Sequence, residues 1–373
     1  MGNHSRFVPT PRTLMGPGPS DVHPRVLAAM AQPTIGHLDP NFIALMDDIK
    51  ALLREAFQTG NSLTLPVSAP GSAAMEAAFA NLLEPGDKAV ICINGVFGTR
   101  MAENVRRMGG DLVTVEDDWG QQVDPQKLRD ALAQHPDAKL VGFVHAETST
   151  GVCSDAQTLC AIAKEAGCLT IVDSVTGLAG VELRVDDWQI DVCYSGSQKC
   201  LSCPPGISLM TYSDAAAARV KARNTPVQSW FLDLSLLMAY WEGEGARTYH
   251  HTAPVNAMYG LHEALLMLHE EGLEASWQRH RDMHELLVAG LQELGLTFAV
   301  DARYRLPQLN VVQAPAGVDE GAVRKQLLDT YNLEIGAGLG VYAGKYWRIG
   351  LMGYAARREN VTLCVNALAD CLG

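Results

Sequence analysis

The 373-residue chain has no run of lysine and arginine, no internal repeat and no low-complexity tract. It also lacks any continuously apolar stretch of the roughly 20 residues that a membrane span needs, and it has no second cysteine pair at zinc-like spacing. Each absence removes a class of function. With 29 Lys and Arg against 42 Asp and Glu, the net charge of -13 repels phosphate backbones and anionic membrane surfaces. A nucleic-acid binder would need a local basic patch, and none is visible. We therefore expect neither nucleic acid nor membrane among the partners. The first residues, Met1-Gly2-Asn3-His4-Ser5-Arg6, form no apolar signal core, and Asp370-Cys371-Leu372-Gly373 is not a peroxisomal tripeptide. The nine cysteines are odd in number and scattered, which suits reduced core thiols. A cytoplasmic protein is the expectation.

Hydrophobic residues make up 47% and charged residues 19%, enough for a large interior and, at this length, two domains. From about Gly71 short β-branched runs alternate with amphipathic helical windows. The strands expected are Lys88–Ile93, Asp111–Val115, Lys139–His145, Leu169–Asp173, Val192–Tyr194 and Ile207–Tyr212. The helices between them are Ala73–Leu83, Thr99–Met108, Pro125–Ala133 and Asp155–Ala166. Such alternation predicts an α/β fold, a mainly parallel sheet flanked by helices. After Pro254 two long helices, Val255–Glu270 and Glu274–Leu294, precede strands near Leu296–Val300, Leu309–Val312 and Trp347–Ile349 and a closing helix from Arg357. We expect an N-terminal arm over 1–20, a large domain over 21–271 and a smaller C-terminal α/β domain over 272–373.

In a parallel sheet, ligands bind beyond the carboxyl ends of the strands. Lys199 stands just past a short apolar strand, in the small-residue loop Ser195-Gly196-Ser197-Gln198-Lys199. Desolvation there would lower its pKa and permit a Schiff base. Asp173 ends the run Leu169-Thr170-Ile171-Val172, at the same edge, where a carboxylate can pair with a ring nitrogen. Gly71-Ser72 leads into a helix whose free N–H groups can hold a phosphate. Taken singly, each has an ordinary explanation: an exposed loop lysine, a helix-capping acid, a common helix start.

Taken in order, these motifs resemble the class V aminotransferases, nearest the alanine–glyoxylate aminotransferase group. The likeness extends through Gly16-Pro17-Gly18-Pro19, Asn94-Gly95-Val96-Phe97-Gly98, Glu147-Thr148-Ser149-Thr150-Gly151, Tyr249-His250-His251-Thr252 and Arg348-Ile349-Gly350. The resemblance implies pyridoxal 5′-phosphate as cofactor, bound to Lys199, with Asp173 on the pyridine nitrogen. Gly71, Ser72, Ala73 and Gln198 would hold the phosphate, joined by Tyr249 and Thr252 of a neighbouring subunit in a homodimer. Thr148 would lie beside the ring, and Phe97 would stack where the family often has tryptophan. Arg348 would grip the substrate carboxylate, with Gly18 beside it. Serine and alanine at 72 and 73 are smaller than the residues of the animal enzymes there. The implied reaction is ping-pong transfer of an amino group from alanine or serine to glyoxylate or pyruvate. Ureidoglycine–glyoxylate and pyridoxamine–pyruvate specificities are alternatives.

Rival readings are weaker. Cys200-Leu201-Ser202-Cys203 has no partner pair for a metal, and adjacent strand histidines His250 and His251 point to opposite faces, so no metal site is expected. Gly336-Ala337-Gly338-Leu339-Gly340 has its third glycine one residue early for a nicotinamide-nucleotide turn and opens no clear helix. The loop Asn332–Trp347 holds no cysteine for persulfide chemistry. A catalytically silent binding protein would not need Lys199, Asp173 and Arg348 together.

Overall fold

A computed structural model describes residues 4–241 and 247–373. Two helices open the chain, α1 (Pro24–Met30) and α2 (Pro40–Phe57). The latter starts on an Asp39-Pro40 signal, the Asp39 side chain accepting from the Asn41 N–H at 2.8 Å. Seven strands then build the main sheet: β1 (Leu63–Val67), β2 (Lys88–Ile93), β3 (Asp111–Glu116), β4 (Leu140–Val144), β5 (Leu169–Asp173), β6 (Val192–Gly196) and β7 (Ser208–Tyr212). Their spatial order is β1-β7-β6-β5-β4-β2-β3, and only β7 runs antiparallel to its neighbours. The mainly parallel sheet is thus present. Strands β4 and β6 are buried along their full length, as helices on both faces require.

The covering helices are α3 (Gly71–Leu82), α4 (Val96–Arg107), α5 (Pro125–Gln134), α6 (Ala156–Glu165), α7 (Asp214–Lys221), α8 (Leu234–Trp241) and α9 (Val255–Glu271). Helix α3 packs with α4 and α7, α5 with α6, and α9 with α1 and α2. Gly272, at φ +87°, separates α9 from α10 (Leu273–Glu293). A second sheet follows, in which β8 (Leu309–Gln313) and β9 (Gly336–Ala337) flank β10 (Tyr346–Gly350) antiparallel. Helices α10, α11 (Glu320–Tyr331) and α12 (Arg358–Leu372) enclose a separate apolar core around Leu287, Leu327, Trp347 and Leu368.

The expected strand over Leu296–Val300 is not formed. Gly295, at φ +74°, and a Leu296 N–H bond to the Leu291 carbonyl commit its start to closing α10. What remains is an isolated bridge between Phe298 and Val312. The N-terminal arm is extended but not detached. Thr13–Leu14 pairs in parallel with Leu333–Glu334, and the Gly350 N–H donates to the Met15 carbonyl at 2.7 Å. A Cβ on Gly350 would stand 2.0 Å from the Gly16 carbonyl oxygen, so only glycine lets the arm cross β10 there. That crossing carries Pro17 and Gly18 to the edge of the main sheet.

Candidate active site

The strand registers bring the carboxyl ends of the central strands level. Val144 faces Asp173, Asp173 faces Tyr194, and Gly196 and Val67 both oppose Ser208. Asp173 therefore closes β5 beside the loop that carries Lys199. Its Oδ1 accepts from the Val175 N–H and its Oδ2 from the Tyr194 hydroxyl, both at 2.9 Å. Burial pushes this carboxyl up to about 7 against the pull of those two donors.

Lys199 is only 8% exposed. Its Nζ donates to the Pro17 carbonyl of the arm, and a Cβ on Gly18 would lie 2.5 Å from that nitrogen. Burial lowers the amine to about 8; Arg348 lowers it further, while Cys200 and Asp173 oppose the shift. Lysine and aspartate are near enough for each charge to act on the other. The Ser20 hydroxyl donates to the Lys199 carbonyl at 2.8 Å, and the Ser20 N–H to that of Gln198 at 3.0 Å. The arm thus fastens the lysine loop on two sides.

Gly71 opens α3 against this edge, where a Cβ would meet the Val175 side chain at 3.3 Å. The N-cap is Pro70, and no side chain caps the helix. Ser72 is exposed and Ala73 half-buried. The buried Gln198 amide oxygen has no hydrogen-bond partner among the described residues.

Arg348, on β10, reaches the main sheet from the second one. Its Nε donates to the Ala337 carbonyl at 2.7 Å and its Nη1 to that of Thr148 at 3.3 Å. Burial lowers the guanidinium to about 10. The Thr148 hydroxyl bonds to that of Thr176. Phe97 lies half-buried in the first turn of α4, with the Arg100 guanidinium 4.8 Å from its ring centre. Tyr249 and Thr252 are exposed and bonded to each other at 3.3 Å, and no described contact joins them to Lys199. The neighbouring His251 Nε2 bonds to Ser68 in the loop before α3 at 2.7 Å.

One buried group had no assigned role in the sequence reading. Glu147 is fully enclosed and accepts from the Phe97 and Gly98 N–H groups at 3.1 and 3.4 Å. Gly95 lies so close that a Cβ there would meet its carboxyl carbon at 2.5 Å, a pairing of distant positions that only the fold reveals. The histidine pair is structural in character: His250 stacks on Trp230 at 4.6 Å, and burial lowers His251 to about 4. Cys200 and Cys203 are buried free thiols, both pushed up to about 12.

A buried amine of lowered pKa, a buried carboxylate near it, a helix start without a side-chain cap and a buried arginine thus gather at one edge of the sheet. The family model for class V aminotransferases matches residues 14–361. The chain belongs to that family. It is 42% identical over 385 residues to alanine–glyoxylate aminotransferase of Rattus norvegicus, covering 100% of this chain and 93% of the relative. The crystal structure of alanine–glyoxylate aminotransferase from Nostoc sp. superposes with a TM-score of 0.97 at 45% identity, covering 100% and 98% of the two chains. That of ureidoglycine–glyoxylate aminotransferase from Bacillus subtilis gives 0.96 at 38% identity, covering 98% and 94%. Among the described residues no helix is long and apolar enough to cross a membrane.

The contact between Gly18 and Lys199 generates a direct prediction. Gly18 sits at φ +105°, so Gly18→Ala adds both backbone strain and a clash with the lysine amine. It should cost about 1–3 kcal/mol of folding stability in a denaturant melt; an unchanged midpoint would show that the arm yields freely.

Proposed function

We propose that the chain transfers an amino group from alanine or serine to glyoxylate, with pyridoxal 5′-phosphate held at Lys199. The single observation that carries this is the desolvated Lys199 amine set against the buried Asp173 carboxyl. The residues present fit the cofactor. The uncapped start of α3, with Gly71, Ser72, Ala73 and the Gln198 carboxamide, suits its phosphate. Asp173, raised by burial and by the charge of Glu147, would be drawn back to its charged form by a pyridinium partner. Thr148 would lie beside the ring and Phe97 would stack on it. Bound there, the cofactor supplies an electron sink for the electrons released at the substrate α-carbon.

Each protein group then has a limited task. Arg348 grips the substrate carboxylate through two parallel N–H donors, turning the α-carbon toward Lys199. The Ala337 and Thr148 carbonyls hold that guanidinium in place. Lys199, lowered by burial to about 8, takes a proton from the α-carbon and returns one. Gly18 leaves room for substrate beside the amine. The first oxo acid leaves before the second enters, so the kinetics are ping-pong. The similarity to the ureidoglycine–glyoxylate enzyme keeps that donor as the second reading.

We also propose a homodimer in which Tyr249 and Thr252 complete the phosphate site of the partner, since both are exposed beside the α3 loop and their hydroxyls bond to each other. The arm, the main sheet and the C-terminal sheet are read as units over 1–20, 21–271 and 272–373.

The purified protein should be yellow. Alanine alone should discharge the colour, glyoxylate should restore it, and Lys199→Ala should do neither; a colour indifferent to alanine and serine but discharged by ureidoglycine would shift the donor assignment. Only a neutral amine adds to an aldehyde, so reconstitution of apoprotein should speed up with pH through about 8 and level off above it. A rate still climbing into the ordinary lysine range would contradict the desolvation. In sedimentation the chain of 40.2 kDa should behave as twice that mass, and an active monomer would end the shared-site proposal.

A further inference from the structure

Helix α4 has no side-chain cap of its own; Gly95 precedes it in extended conformation. Its first three N–H groups are nevertheless taken, all by residues of the loop after β4. The Val96 N–H donates to the Ser149 hydroxyl oxygen at 2.9 Å. Those of Phe97 and Gly98 donate to Glu147 Oε2, while Oε1 accepts from both the N–H and the hydroxyl of Ser149, at 2.9 and 2.5 Å. Each carboxylate oxygen therefore faces at least one backbone donor. A carboxamide cannot replace it, because its NH2 would confront an N–H on one side or the other. Burial works against the charge, raising this carboxyl, and the bonds from Ser149, Gly98 and Phe97 work for it. The start of a helix adds further stabilisation of a negative group.

This clamp holds three of the groups that the proposed function uses. Phe97 donates to it directly. Thr148 stands between its two members, Glu147 and Ser149. The Thr148 carbonyl in turn accepts from Arg348, and the Glu147 charge attracts that guanidinium. We propose that Glu147, with Ser149, is a positioning residue that sets the ring of Phe97, the hydroxyl of Thr148 and the reach of Arg348 from one buried point. It touches neither substrate nor cofactor, and the inference rests on the cofactor reading above.

The test is titration of apoprotein with pyridoxal 5′-phosphate, followed by the absorbance of the bound cofactor, for wild type, Glu147→Gln, Phe97→Ala and the double variant. Glu147→Gln should weaken cofactor binding on the order of tenfold, since one buried donor loses its acceptor. The loss should be less than additive with that of Phe97→Ala, because part of it acts through that ring. The gain in melting temperature on cofactor binding should shrink in Glu147→Gln. If apo and holo forms instead melt lower by equal amounts with affinity unchanged, Glu147 is a helix cap and nothing more. Should Glu147→Gln not fold, Ser149→Ala removes the hydroxyl alone. It should weaken cofactor binding by a smaller factor, and wild-type affinity there overturns the proposal. Wild type that binds no cofactor would sink the cofactor reading itself, a result distinct from a variant that binds normally.

Discussion

An ammonium group is costly to take out of water, and the site depends on one that has been. Lys199 is walled in by the N-terminal arm, whose Pro17 carbonyl and side-chain-free Gly18 come within touching distance of its amine. The arm reaches that position only because Gly350, with no side chain, lets it cross β10. It stays because Met15 packs into the second core and bonds to both Glu334 and Gly350. Removal of that strip of chain would expose the lysine and return its amine to an ordinary surface group. The small C-terminal sheet is thus part of what lowers the pKa of a residue on the large one.

Two helix starts face the same edge of the main sheet, and they are treated differently. The first turn of α4 is closed by the carboxylate and hydroxyl of the β4 loop, so its partial positive charge is already matched. The first turn of α3 follows proline and has no side-chain cap. Its Ala73 N–H donates to the Pro70 carbonyl at 2.8 Å, and no side chain accepts from the turn. Asp173 ends β5 at that edge, and burial pushes its carboxyl up to about 7. On the proposed reading, this difference between the two helices would leave α3 to hold the phosphate.

Much of this was legible in the sequence where the pattern was local. Lys88–Ile93 and Leu169–Asp173 are strands residue for residue, because fully buried parallel strands read as unbroken apolar, β-branched runs. Lys199 and Asp173 stood out because each follows such a run. β1 did not, since Leu63–Val67 contains Pro66 and is short. It is an edge strand, where a missing N–H is tolerated. Leu296–Val300 has the composition of a strand but is used up closing α10. Glu147 lay in view within a family-like string, yet its role depends on Gly95, 52 positions away, which no local period connects. The sequence pointed to Tyr249 and Thr252 through the resemblance alone, and within one chain their hydroxyls bond to each other.

The central claim is that position 199 carries the reactive amine. Borohydride reduction of the coloured protein followed by peptide mass mapping tests it most directly. The account predicts a pyridoxyl-phosphate adduct on the peptide that contains Lys199 and on no other lysine. An adduct on a different lysine, or a protein that takes up no label, would contradict it.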